Sequence, residues 1–117
     1  MKLLTKDIEQ KLIKQHEESK KNPEINMSKI NKPYLYLFGG SSCTWLISEY
    51  DKLENLFFGL CDLGHGCPEI GCVSREEIEK VKFPPFGLRV ERDRYFTPEK
   101  SLWQYYEERK KTGRVRI

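Results

Sequence analysis

No stretch of this 117-residue chain holds the roughly 18 consecutive apolar residues needed to cross a bilayer. The opening MKLLTKDIEQ is charged by residue 6 and has no apolar h-region, so no signal peptide is read there. A cytosolic, reducing setting follows as the default, and it disfavours a disulfide framework. Charge of one sign is scarce too, since a net +3 does not by itself argue for nucleic acid. Only two histidines occur, His16 and His65. A Cys–His nucleophilic pair would need Cys61 or Cys67 beside His65 on a glycine turn, with nothing to orient the base. LFGGSS at 37–42 lacks the lysine and helix start of a phosphate loop, and the RNA-recognition consensus is missing. There is no internal repeat and no low-complexity segment. These absences lead us to expect no catalytic residue and no cofactor.

The length fits one domain with a modest core. Aromatic residues make up 12%, which argues against disorder even though 33% of the chain is charged. Thr5 can cap a helix running to about Lys20, with Leu4, Ile8, Leu12 and His16 at four-residue spacing and Ile13 widening the stripe. KKNPEINMSKINKP breaks the pattern, so 20–33 is read as a connecting loop. Four strand-like stretches follow: YLYLFGG, CTWLISEYD, LFFGLCDL and EIGCVS. Alternation puts Tyr34, Tyr36 and Phe38 on one face and Leu35 and Leu37 on the other. In the second strand it sets Trp45 and Ile47 against Leu46 and Tyr50. Short polar turns between the strands suggest an antiparallel meander, and apolar residues on both faces call for helices over part of the second.

SREE at 74–77 has the S-x-x-E capping-box pattern and opens a short helix through Val81. KFPPFG stops it, and GLRVERD reads as another strand. Thr97-Pro98 reads as the cap of a last helix to about Lys111, with Leu102, Trp103, Tyr106 and Tyr105 at its contact face and Gly113 at its end. The expected fold is α+β: one domain over 1–117, an antiparallel sheet of four to five strands, and N-terminal, short middle and C-terminal helices.

Several stretches resemble a family together: MKLLTK, TWLISEYD, LFFGL, DLGHGCPEIG, VSREEIE, GLRVERDRYF and the closing proline-led helix. They are similar to an uncharacterised bacterial family found on plasmids, phages and other mobile DNA. Its pattern runs T-W, E-[FY]-D, F-F-G-L, D-L-G-x-G-x-P-E-L-G, an S-x-x-E helix start and E-R-D-x-Y-F. The matches fall at Thr44, Trp45, Glu49 to Asp51, Phe57 to Leu60, Asp62 to Gly71 and Glu91 to Phe96. The resemblance covers about 1–8 and 43–99, leaving the loop 20–33 and the basic tail, 112–117, outside it. It implies a whole small protein and carries no activity.

Four groups of residues are candidates for chemistry. Cys61, His65, Cys67 and Cys72 could be zinc ligands, but C-x3-H-x-C-x4-C is not a standard spacing, and a hairpin would set the outer pair away from its tip. The resemblance keeps Gly64, Gly66 and Pro68 and varies positions 65 and 67, so thiols acting as small apolar residues, Cys43 among them, are preferred and no metal is expected. Glu49, Asp51, Glu91 and Asp93 form two E-x-D pairs that could hold a divalent ion for phosphodiester cleavage, or could simply pair with arginines. Lys20, Lys21, Lys29, Lys32, Arg109, Lys110, Lys111, Arg114 and Arg116 are the candidate cations; both ends of the chain are basic, whereas residues 23–97, Lys29 and Lys32 included, hold nine basic and eleven acidic side chains. With Tyr34 and Tyr36 they could bind a single strand, although an aromatic row is more often core.

The leading expectation is a non-catalytic binding protein acting on a host or phage protein complex. Inhibition of a host defence nuclease complex, as anti-CRISPR proteins do, is one form suggested by the mobile-element setting. A nucleic-acid-binding accessory protein is the alternative, and a metal-dependent nuclease a third. No membrane partner is expected.

Overall fold

A computed structural model describes residues 3–22, 32–40, 42–64 and 68–112. The elements are α1 (Lys6–Lys21), β1 (Leu35–Gly39), β2 (Cys43–Asp51), β3 (Leu56–Asp62), β4 (Glu69–Ser74), α2 (Arg75–Lys80), β5 (Lys82–Phe83), β6 (Leu88–Arg89), β7 (Glu91–Arg92) and α3 (Leu102–Thr112). Five strands form one antiparallel sheet in the order β4-β3-β2-β1-β7, and β5 with β6 forms a separate hairpin. The α+β class and the three helices are those the sequence calls for.

Each face of the sheet carries its own core. Thr5 Oγ1 accepts from Ile8 N at 3.2 Å and starts α1, whose apolar stripe brings fully buried Leu12 onto the sheet. There it meets Leu35, Leu37, Trp45, Ile47 and Phe57. On the other face Leu102 and Tyr105 of α3 pack with Leu46 and Leu60, flanked by Tyr36, Phe58 and Phe96. Burial on both faces explains why β2 and β3 carry apolar residues at adjacent positions.

Strict alternation fails in β2. The register with β3 shifts between Ile47 and Glu49, leaving Ser48 as an extra residue, a β-bulge. Tyr50 therefore joins Trp45 and Ile47 on the α1 face rather than Leu46. Gln15 of α1 uses the distortion: its Nε2 donates to Ser48 O at 2.6 Å and to Lys32 O at 2.9 Å.

The stretch 87–93 is not one strand. Leu88–Arg89 pairs with Lys82–Phe83, whereas Glu91–Arg92 pairs with β1, and buried Val90 lies at the change of partner. KFPPFG ends α2 and also turns this hairpin, with Gly87 N donating to Phe83 O at 2.8 Å and Gly87 at φ +68°. Helix α3 begins at Leu102, not at Pro98. Ser101 Oγ accepts from Gln104 N at 3.2 Å, and Gln104 Oε1 accepts from Ser101 N at 2.9 Å. That reciprocal S-x-x-Q cap satisfies two helix-end donors, which Thr97 cannot do from four residues upstream. The inward residues of α3 are Leu102 and Tyr105, while Trp103 and Tyr106 are half-buried and stack on each other at 5.3 Å.

Phe83 of the hairpin closes on Gly39 and Gly40 at the end of β1, where any Cβ would collide with its ring. Gly39→Ala is expected to push the ring away and loosen the hairpin, at about 1–3 kcal/mol. Faster amide exchange at Leu88 and Arg89, with the β2–β3 amides unchanged, would show this.

A candidate docking cleft

The two described cysteines of the candidate set, Cys61 and Cys72, stand on opposite faces of the sheet. Cys61 packs against the α1-face core, whereas Cys72 stands opposite Phe58, a residue of the α3 face, and is exposed. Side chains on opposite faces of a sheet cannot share one ion. His65 and Cys67 lie outside the described residues. Among the described residues no group of three histidines, cysteines or carboxylates is arranged to hold a metal. Burial pushes the Cys61 thiol up, and Glu69 adds to the shift, while burial and then Asp62 raise Cys43. A raised thiol pKa means less thiolate at a given pH. Iodoacetamide at pH 8 is therefore expected to label exposed Cys72 well before Cys43 and Cys61, as peptide mapping would read. The sign for stability follows: above pH 9 the unfolded chain releases thiol protons that the fold retains, so these groups favour unfolding as pH rises.

The two E-x-D pairs do not converge either. Glu49 is 97% buried by side-chain area and accepts from Ser19 Oγ at 2.9 Å, with His16 Nδ1 at 3.1 Å. Asp51 lies 3.5 Å from His16 Nε2 and accepts from Glu54 N in the β2–β3 turn. Glu91 and Asp93 lie at β7, with β1 between them and β2. Glu91 is exposed opposite Phe38, and Asp93 accepts from Tyr95 N at 2.9 Å. One pair therefore stitches α1 to β2 and the other shapes the turn after β7. His16, placed by spacing in the apolar stripe, is instead a polar bridge between α1 and β2.

The basic and aromatic candidates scatter. Arg109 is buried and its Nε donates to the Asp62 carboxylate, itself buried on β3. It is withdrawn from any surface that could meet phosphate, because the apolar base of α3 carries it inward. Lys20, Lys21, Lys110 and Lys111 are exposed at the ends of α1 and α3, and Lys110 lies over the Tyr106 ring at 5.3 Å. Lys29, Arg114 and Arg116 lie outside the described residues. Tyr34 precedes β1, joins the α1-face core and has Lys11 over its ring at 5.3 Å. Tyr36 belongs to the α3 face, with Phe96 at 5.3 Å. Tyr34 and Tyr36 thus fall in separate clusters, each half-buried, while Phe38, the third residue of the row, is exposed.

The motif residues build scaffold. Trp45 is core, and the Tyr50 hydroxyl donates to Asn55 Oδ1 at 2.9 Å and accepts from Arg75 at 3.0 Å. Asp62 Oδ1 accepts from Gly64 N at 2.9 Å and fixes the turn after β3, where Gly64 sits at φ +85°.

One surface feature is left without such a role. A cleft of about 550 Å³ opens between the end of β1 and the β5–β6 hairpin. Phe38, Phe86 and Leu88 line it while exposed at 37%, 83% and 65%. Gly39, Gly40, Phe83, Pro84, Pro85, Arg89, Val90 and Glu91 complete its lining. Periodicity could not find this cleft, because it depends on the hairpin that PPFG turns.

The class defined by these features is a single α+β domain whose antiparallel sheet is covered by α1 on one face and α3 on the other. Residues 3–116 match the family described as Protein of unknown function (DUF2958), and the chain belongs to that family. The match runs through 20–33 and into the basic tail, so both segments lie within the family's span rather than outside it. No curated protein and no solved structure matches the chain. Among the described residues no helix is long and apolar enough to cross a membrane.

Proposed function

We propose that this chain is a non-catalytic binding protein whose working surface is the cleft beside the β5–β6 hairpin. One observation carries the reading: Phe38, Phe86 and Leu88, three large apolar side chains left in water, converge on one concavity. Contiguous exposed apolar surface is costly to keep solvated and marks interaction sites. A concavity walled by Phe, Pro and Leu can seat a partner's apolar side chain and has few polar groups to orient a reaction. A host defence nuclease complex remains one concrete form of partner, suggested by the likeness of the motifs to those of plasmid and phage proteins.

Affinity capture with the intact chain and with Phe86→Ser–Leu88→Ser tests the reading. The expected result is a partner recovered by the first and lost by the second. Equal recovery would move the working surface elsewhere, and turnover of any substrate by the purified chain would overturn the non-catalytic reading. A second reading, nucleic-acid binding, rests on a smaller groove of about 350 Å³ where Lys11, Lys32 and Tyr34 stand with Phe96 and Pro98, although Asp7 also lines it and pairs with Lys11 at 3.3 Å. It requires affinity for single strands that falls steeply with salt, since phosphate contacts release counterions.

A further inference from the structure

The edge of the sheet farthest from the cleft is open. β4 stands first in the order β4-β3-β2-β1-β7, and among the described residues no backbone group outside β3 bonds to residues 69–73. An unpaired edge is a row of backbone donors and acceptors ready for another strand. Proteins that avoid such pairing blunt the edge with lysine, proline, a bulge or extreme shortness. β4 has none of these. Its six residues, EIGCVS, keep an unbroken register with β3 and carry a single charge, Glu69, at the start. The opposite edge is blunted: β7 is two residues long and follows directly on the change of partner at Val90.

We infer that β4 pairs antiparallel with β4 of a second copy, about a twofold axis at Cys72. Whatever fits this edge must be an extended strand that keeps each face continuous and brings no like charges together. β4 meets these conditions against itself. A twofold axis through the sheet at Cys72 sets Cys72 opposite Cys72, Gly71 opposite Val73 and Ile70 opposite Ser74. Gly71 and Val73 lie on the α1 face, where a Cβ at 71 would meet nothing within 4 Å, so Val73 of each copy finds room over glycine. Ile70 lies on the α3 face, and its opposite number is a serine. Each large side chain thus meets a small one. Beyond the ladder, exposed Glu69 of one copy comes level with Arg75 of the other, the first residue of α2. Opposite charges therefore face each other at both ends of the seam. Because β7 is too short to accept β4, the pairing closes at two copies instead of running on into a filament. The joined sheet runs β7-β1-β2-β3-β4 and back, with one cleft near each far edge. Two linked clefts would hold a paired target more tightly than either alone. Only this gain in avidity rests on the cleft as a docking face; the dimer does not.

One strand pair buries less than the roughly 1,600 Å² of a standard interface, so a reversible dimer is expected. Sedimentation equilibrium of the full chain over a concentration series reads it, beside Cys72→Lys, Glu69→Arg and Phe86→Ser. All three positions are exposed, so the variants keep the core, and unchanged urea midpoints at low concentration check this. The intact chain should pass from monomer to dimer as concentration rises and go no further. Cys72→Lys sets two cations together on the axis and should weaken the dimer about tenfold or more. Glu69→Arg should weaken it too, while Phe86→Ser should leave it unchanged. A short bismaleimide should join Cys72 to Cys72 in the dimer, as peptide mapping would read. Monomer at every soluble concentration would overturn the inference, and so would a dimer that survives Cys72→Lys or cross-links elsewhere. A dimer lost with Phe86→Ser would overturn it by placing the second copy in the cleft. A chain that stays monomeric but loses a captured protein on Cys72→Lys would overturn it in favour of a strand from another protein. Partner capture lost with Phe86→Ser while the dimer persists would support both surfaces separately.

Discussion

Replacing Gly59 by alanine is expected to cost about 3 kcal/mol or more, enough to unfold a large fraction of a marginally stable domain. Gly59 sits in β3 opposite Ile47, next to the bulge. A Cβ there would run into the Leu46 carbonyl oxygen and lie 2.8 Å from Ile47 Cα. Both obstacles are backbone of the central strand, so no rotamer change relieves the clash. Gly71 of β4 is the control, because a Cβ there meets nothing within 4 Å. Urea unfolding should show a large fall in midpoint for Gly59→Ala and almost none for Gly71→Ala. Equal midpoints for the two would contradict the close approach of β2 and β3. The F-F-G-L motif thus has a packing reason: its glycine lets two strands meet where one bulges.

The second large effect is expected at Asp62. Its carboxylate holds Arg109 and Gly64 N, so one side chain ties α3 to β3 and fixes the following turn. The Asp62 and Arg109 side chains are only 5% and 6% exposed. Asp62→Ala would leave a buried guanidinium with no counter-charge, which costs about 3–5 kcal/mol. Among the described residues Arg109 Nη1 has no hydrogen-bond partner, so the pair is imperfectly satisfied there. Removing both charges should therefore be far milder than removing one. The double variant Asp62→Ala–Arg109→Met is expected to recover most of the loss, and a thermodynamic cycle measures the coupling. Strict additivity of the two single changes would refute it.

Much of the fold was legible because burial on two faces writes itself into β2 and β3 as apolar neighbours, and because Thr5 and Ser74 are hydroxyl caps at the right spacing. Three features were not legible, for separate reasons. The bulge at Ser48 is a register shift between strands, invisible to the periodicity of one strand. The division at Val90 depends on which strand lies beside each half, a tertiary fact. The start of α3 is masked because a proline after threonine is a stronger sequence signal than the quieter serine–glutamine cap at 101 and 104. For the candidate site the signal was thinner. Phe86 and Leu88 are plain in the sequence, but the concavity they line exists only once Phe83 closes on the glycines of β1. Arg109 shows the converse: a cation in a basic run reads as surface, and only the position of Asp62 makes it interior.

The change of partner at Val90 has an evolutionary consequence. The hairpin is grafted onto the sheet rather than woven into it, so its tip, residues 84–87, can vary in length and composition without altering the register of β1, β2 or β3. Relatives could therefore diversify what they recognise by rewriting four residues while inheriting the framework unchanged.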